Sequence, residues 1–375
     1  QVLAELSTLR TTRSASVAAA ARARLEREAP SVAARLPGGA PSDLATQLPP
    51  DAAVLVYRPT DLGLVTFVLA EGTLTATVVP VTAAQLGARL RDYRRRLDAR
   101  ADLDTAHADL ASWLLAPVRE RLGRARRVAV VGHGGVAAVG FAALPWGEAM
   151  VVDALSLVRA PDPRAAVAAL VGAVKPLKER ALTALAAPAD GVDAPLAFAP
   201  HEVRSIGEAQ PQATLLLGAD ATAARLLAAA AQPEAVAHYA GHSRTVAADP
   251  LASTLRTAGE PLTQAAVLGQ RLAAALVVLS SCETLAASEP ALSPAALARR
   301  EPSSFARAFV LAGAHAVLAT PTRVDDVSAA LLMKRFYRAA RAEPPAEALR
   351  SAQQIVRRLD PHPAAWATFE LTVSY

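Results

Sequence analysis

Apolar residues in this chain fall into short uninterrupted runs, and the spacing inside and between them predicts most of the elements. Ala53-Val54-Leu55-Val56-Tyr57 and Leu64-Val65-Thr66-Phe67-Val68-Leu69 read as strands. Thr73 to Val78 alternates apolar and polar positions beyond a Glu71-Gly72 turn, so the three runs predict an antiparallel meander. From Thr82 to Arg100 the period changes: Leu86, Leu90, Tyr93 and Leu97 recur at helical spacing, with Arg91, Arg94, Arg95 and Arg96 on the remaining surface. From Val128 onward strands and helices alternate. The strand candidates are Val128 to Val131, Leu182 to Ala187, Thr214 to Leu217, Ala235 to Tyr239, Leu276 to Ser280 and Ala316 to Thr320. The helix candidates lie near His201 to Ala209, Ala221 to Ala230, Thr263 to Leu268, Ser303 to Ala312 and Asp325 to Arg341. Strands without a polar face, alternating with helices, imply an α/β sheet covered on both sides. In such sheets chemistry collects at the carboxyl ends of the strands.

Ahead of the meander, Gln1 to Glu28 is rich in Ala, Arg and Leu without Gly or Pro and predicts a helix, ended by Pro30 and Pro37-Gly38-Gly39. A chain that starts at Gln1 rather than Met reads as a processed or excised fragment. No period of about 20 to 50 residues recurs, so no solenoid is expected within it.

Composition narrows the class. Of 375 residues, 53% are hydrophobic and 19% charged, which excludes a disordered polyelectrolyte. The net charge of +5 and an aromatic content of 4% give no nucleic-acid surface with stacking platforms. The arginines of Arg91 to Arg96 invite a phosphate or nucleic-acid reading, but a solvated helix face explains them without any motif. Cys282 is the sole cysteine, so disulfides and multi-cysteine zinc or iron-sulfur sites are excluded and a reducing, cytoplasmic compartment is expected. The uncharged stretch between Arg307 and Arg323 is broken by Gly313 and Pro321 and falls short of the ~18 residues a membrane span needs, and no membrane partner is expected.

The candidate chemistry emerges by elimination. There is no His-Glu-x-x-His, no Gly-x-x-x-x-Gly-Lys and no Gly-x-Ser-x-Gly. Gly132-His133-Gly134-Gly135 follows a strand, yet Ala137 occupies the third glycine position of a dinucleotide turn, so neither a cofactor nor a metal is expected. Cys282 directly follows the strand ending in Ser280-Ser281, and His242 follows another strand end by Ala240-Gly241. The histidine precedes the cysteine by forty residues, comparable to the roughly 50 of caspases. A thiol of ordinary pKa about 8.5 is largely protonated at neutral pH, and a neighbouring imidazole activates it. Taken alone, Cys282 reads rather as a small buried hydrophobe. His238, inside its strand, reads as a packed, hydrogen-bonded residue.

Together His238-Tyr239-Ala240-Gly241-His242-Ser243, Leu276 through Ser281-Cys282-Glu283-Thr284, and Ser304-Phe305-Ala306-Arg307 through Gly313-Ala314 resemble the CHAT domain, a caspase- and separase-like peptidase module. Phe141-Ala142-Ala143-Leu144-Pro145, Val324-Asp325-Asp326, Ala346 to Arg350 and Trp366 to Phe369 extend the resemblance in order, over about Ala52 to the C-terminus. The resemblance implies a caspase-hemoglobinase fold, α/β with a mostly parallel sheet flanked by helices. It divides the chain into a helical leader (1–50), a pseudo-caspase-like antiparallel and helical portion (51–180) and a catalytic subdomain (181–375). It also implies His242 as base and acid, Cys282 as nucleophile, and the backbone N–H groups of Ser243 and Cys282 as oxyanion donors. Ser243 stands where the family usually has glycine, which introduces strain if the position requires positive φ. Thr322 stands where relatives commonly have tryptophan.

Asp325 and Asp326 follow a strand end where separase-like relatives carry an acidic residue that recognises a basic P1 side chain, with Asp326 the stronger candidate. Asp at a helix start also simply caps it. Between Cys282 and Phe305 a proline-containing loop carries Arg299-Arg300, a conceivable self-cleavage site. The expected function is a cysteine endopeptidase cleaving a specific protein partner, in a setting such as bacterial defence or regulated cell death, under an upstream tetratricopeptide-repeat or sensor region. The alternative is a degenerate CHAT-like scaffold or binding module.

Overall fold

Runs of β-branched and aliphatic residues too short for helices become the strands of one large sheet. The computed structural model describes residues 41–60, 63–172, 175–188, 196–246, 249–282, 284 and 304–374. The helix expected over residues 1–28 and the loop bearing Arg299 and Arg300 lie outside them. In chain order the strands are β1 (Ala52–Thr60), β2 (Gly63–Ala70), β3 (Thr73–Val79), β4 (Arg127–Gly132), the small pair β5 (Pro145–Trp146) and β6 (Ala149–Met150), and β7 (Ser156–Arg159). There follow β8 (Leu182–Ala186), β9 (Thr214–Leu217), β10 (Val236–Ala240), β11 (Ser243–Arg244), β12 (Thr254–Leu255), β13 (Leu262–Thr263), β14 (Leu276–Ser280), β15 (Ala316–Ala319) and β16 (Glu370–Val373).

Eleven strands pair in the order β3-β2-β1-β4-β7-β16-β15-β14-β10-β8-β9. The predicted meander is present, β1 with β2 and β2 with β3 running antiparallel. Parallel pairing continues through β4 and β7 on one side and through β15, β14, β10, β8 and β9 on the other. The last strand, β16, joins the two series, parallel to β7 and antiparallel to β15. β11, β12 and β13 form a separate antiparallel sheet of three.

Alternation along each strand sends successive side chains to opposite faces. Leu55, Tyr57, Val128 and Val130 enter a core with Leu86, Leu90, Tyr93 and Leu97 from helix Ala83–Asp98 and with Leu110 and Leu114 from helix Asp104–Leu114. Each such buried side chain stabilises by about 1.5–3 kcal/mol. Thr82 caps the first of these helices in a reciprocal box with Gln85, its hydroxyl accepting from Gln85 N at 3.2 Å while Gln85 Oε1 accepts from Thr82 N at 2.9 Å. Two of the arginines on that helix are held locally, Arg95 and Arg96 pairing with Asp92 and Arg96 also donating to the Asp102 carbonyl at 3.1 Å, while Arg94 donates to the Pro321 carbonyl at 3.4 Å.

A second core gathers Ala237 and Tyr239 of β10, Val277 and Leu279 of β14, and Val317 and Ala319 of β15 under Leu226 and Ala230 of helix Ala223–Ala231 and Phe305 and Phe309 of helix Phe305–Ala312. The alternate position on β10, His238, faces the opposite side, toward helices Ala199–Ala209 and Asp326–Ala339. Where the two strand series meet, Arg159 of β7 pairs with Glu370 of β16, one contact measuring 2.7 Å. Nearby, Arg350 of helix Pro345–Leu359 donates to the carbonyls of Val152 and Asp153 at 2.8 and 2.6 Å. Among the described residues no helix is long and apolar enough to cross a membrane.

Candidate active site

β10 and β14 are neighbouring parallel strands in register, Val236 opposite Leu276 through Ala240 opposite Ser280. Continuing each by two residues brings His242 and Cys282 to the same level beyond the carboxyl edge. Two bonds hold this extension. Gly241 N–H donates to the Ser280 carbonyl at 3.2 Å, and the Ser243 hydroxyl donates to the Cys282 carbonyl. The residues on either side of His242 are thereby tied to the strand end that carries Cys282. His242, Ser243 and Cys282 are all half-buried, sheltered yet reachable.

Cys282 Sγ lies 3.7 Å from the Val324 carbonyl, in sulfur hydrogen-bonding range. The turn beneath it is braced by the Thr320 hydroxyl, which donates to the Ser281 carbonyl at 2.7 Å. On the histidine side, Tyr239 sends its hydroxyl under Gly241 to the carbonyls of His242 (2.7 Å) and Arg256 (2.5 Å). Gly241 permits that passage, since a Cβ there would sit 2.7 Å from Ala187 Cβ and against the tyrosine hydroxyl.

The His242 carbonyl also accepts from Arg256 N at 2.9 Å, while Ser243 pairs with Leu255 in the β11–β12 ladder. In an antiparallel ladder bonded and non-bonded pairs alternate, so the Ser243 N–H turns away from β12, toward the open edge of β11. Among the described residues the non-glycine positions with positive φ are Glu71, Arg100 and Glu234. Ser243 is not one of them, and serine in place of glycine introduces no backbone strain there.

Asp325 is the N-cap of helix Asp326–Ala339, its carboxylate accepting from Ser328 N at 2.9 Å. Asp326 is half-buried and accepts from Phe198 N at 2.8 Å. Burial raises its carboxyl pKa and the Asp325 charge pushes the same way, against the Phe198 N–H and the electrostatic influence of His242. Asp326 and His242 thus interact electrostatically, on the side where Val324 meets Cys282. Thr322, at 2% exposure, is packed inside.

Behind the strand ends lies a polar cluster that the sequence reading left out. Glu202 of helix Ala199–Ala209 places Oε1 2.8 Å from His238 Nε2, and its Oε2 accepts from the Ser280 hydroxyl at 3.1 Å. His238 Nδ1 is 3.1 Å from the Tyr337 hydroxyl. Glu202, His238, Ser280 and Tyr337 are all buried. Burial, with the charge of Glu202, raises the Tyr337 phenol pKa well above its usual value. The cluster joins both site strands to both helices on that face. Its signal in sequence was the placement of Glu202 in the buried stripe with Ala199, Ile206 and Ala209, an acidic residue where the period calls for an apolar one.

A mostly parallel sheet flanked by helices is the architecture of the caspase-like fold. Comparison with solved structures agrees on the fold. The separase–securin complex of Saccharomyces cerevisiae aligns with a TM-score of 0.61 at 10% identity, covering 88% of this chain and 30% of that one. This chain therefore spans about 30% of the length of that relative. The Arg-specific cysteine proteinase gingipain R aligns with a TM-score of 0.44 at 9% identity, covering 75% of this chain and 69% of that one. A complex of the pro- and mature domains of the Porphyromonas gingivalis gingipain gives 0.42 at 9%, covering 76% and 74%. No curated protein matches the chain in sequence. The family model for the CHAT domain matches residues 105–374, and the chain belongs to the CHAT domain family.

Proposed function

We propose that this protein is a cysteine endopeptidase acting on a protein partner through His242 and Cys282. The observation that supports the reading is the register of β10 and β14 with the Ser243–Cys282 bond, which brings the chain positions of His242 and Cys282 to the same level at a sheltered edge. In the reaction His242 takes the thiol proton, the sulfur attacks the peptide carbonyl carbon, and the carbonyl oxygen becomes an oxyanion. The N–H groups of Ser243 and Cys282 receive that oxyanion, each such donor being worth about 3–4 kcal/mol. His242 then returns its proton to the departing amine, leaving a thioester that water hydrolyses with His242 again as base. Asp326, half-buried and in electrostatic contact with His242, is the group we assign to a basic P1 side chain, with Asp325 at its rim and already engaged as a cap. The subdomain division near residue 180, a cytoplasmic setting, a role in defence or cell death, and control by an upstream tetratricopeptide-repeat or sensor region belong to the same proposal.

The rival reading is a CHAT-domain scaffold that binds without cutting, favoured by Thr322 in the place where tryptophan is common. One experiment separates the two. New protein N-termini generated by the parent and absent with Cys282→Ala establish cleavage, and their preceding residues give P1. The substitution is expected to cost on the order of 10⁴-fold or more in turnover. Equal processing by both proteins removes the peptidase reading, and cleavage without preference for Arg or Lys removes the Asp326 assignment.

A further inference from the structure

The two outer edges of the large sheet are built differently. β9 at one end is only four residues long, a common way of blunting an edge. β3 at the other end has seven, Thr73-Leu74-Thr75-Ala76-Thr77-Val78-Val79, without a charge or a proline. It pairs with β2 along its whole length, and among the described residues no strand pairs with its outer side. An edge of this length, rich in β-branched residues and uncharged, offers a row of backbone donors and acceptors to another strand.

The side chains beside that edge are apolar and open to water on one face. Phe67 of β2 stands opposite Ala76, and Val65 opposite Val78. Phe67 is 36% and Val78 55% exposed, and Ala76 is exposed between them. On the other face the Thr77 hydroxyl is shielded from solvent and has no hydrogen-bond partner among the described residues.

The strand is also nearly a palindrome in chemical character. Laid antiparallel against a second copy about a two-fold axis through Ala76, it sets Ala76 against Ala76, Thr75 against Thr77, Leu74 against Val78 and Thr73 against Val79. The apolar face becomes one continuous band running Phe67, Ala76, Ala76, Phe67 across the two copies. A self-complementary edge of this kind is what an isologous dimer requires.

We infer that β3 is a homodimerisation edge, joining two copies through antiparallel β3–β3 pairing about Ala76. The site strands β14 and β10 lie at least seven strand spacings away, roughly 34 Å at ~4.8 Å each, so both candidate active sites stay open in the dimer. A seven-residue edge buries less than the ~1,200 Å² of a standard interface, so the association is concentration-dependent.

Sedimentation velocity across a micromolar concentration series is the test, with disulfide trapping as its second arm. The parent is expected to shift from monomer to dimer. Ala76→Lys, at an exposed position, places two like charges opposite each other on the axis and is expected to stay monomeric with an unchanged melting temperature. In a Cys282→Ser background, Ala76→Cys brings two thiols to directly opposed positions and is expected to form a disulfide-linked dimer on mild oxidation. Val78→Cys in the same background separates them by roughly 14 Å along the strands and is expected not to. A parent that remains monomeric throughout, an Ala76→Lys protein that still dimerises, or Val78→Cys cross-linking as readily as Ala76→Cys overturns the inference. A monomeric parent leaves this edge to a strand of another protein.

Discussion

At the scale of single residues, Tyr239 deserves the place usually given only to the reacting groups. Its ring is core, yet its hydroxyl holds the carbonyls of both His242 and Arg256 and so fixes the ladder step that aims the Ser243 N–H. Tyr239→Phe keeps the ring and removes the clamp. The expected stability loss is about 1 kcal/mol. On a cleavable peptide, kcat should fall several-fold with KM little changed, since the hydroxyl orients the base and an oxyanion donor without touching substrate. A rise in KM at constant kcat would refute the positioning role. Gly241→Ala, which forces a methyl group against Ala187, should cost more in both respects. The placement of His242 and Cys282 beyond strand ends was legible in the sequence because a polar residue one or two steps past an apolar run marks a strand end. Tyr239, Glu202 and Tyr337 were not, because what distinguishes them is a partner: Glu202 meets His238 thirty-six residues later, and His238 meets Tyr337 ninety-nine residues later.

At the scale of elements, the pairing of helices Ala83–Asp98 and Asp104–Leu114 has a titratable group at its centre. His107 is buried, its ring 5.6 Å from that of Tyr93, and burial pushes its pKa down to about 4. His362 adds to the lowering, while Asp104 and Asp102 oppose it. Because the folded value lies below the ordinary 6.5, the unfolded chain binds more protons between these two values, and stability falls as pH drops through that window. The contribution is complete above pH 6.5 and amounts to roughly 3 kcal/mol lost by pH 4. Urea unfolding at pH 7 and at pH 4.5 should show a smaller difference for His107→Leu than for the parent. Identical differences would exclude this origin. Every strand with an apolar run was readable in advance, as was the capped helix after Thr82. β7 and β16 escaped because four residues such as Ser-Leu-Val-Arg or Glu-Leu-Thr-Val carry too little pattern, and the Arg159–Glu370 pair that joins them spans more than two hundred positions. Helices Asp104–Leu114, Pro163–Val171 and Pro345–Leu359 were likewise not among the expected ones.

At the scale of the whole molecule, that pair joins two parallel series into one sheet. Arg159 and Glu370 are both nearly buried, at 11% and 12% side-chain exposure. Burial raises the Glu370 carboxyl pKa, and Arg159 works against it. Arg159→Met leaves the carboxylate without its partner and should cost about 3–5 kcal/mol, whereas the double change with Glu370→Leu should recover most of that loss. Urea denaturation of the two variants and the parent measures this coupling, and additive losses would show that the residues act separately. The position of β16 has one more consequence. It follows every other described strand in the chain and is the one inserted at the middle of the sheet, between β7 and β15. A nascent chain on the ribosome therefore carries two incomplete sheets with facing raw edges until Glu370 to Val373 emerges.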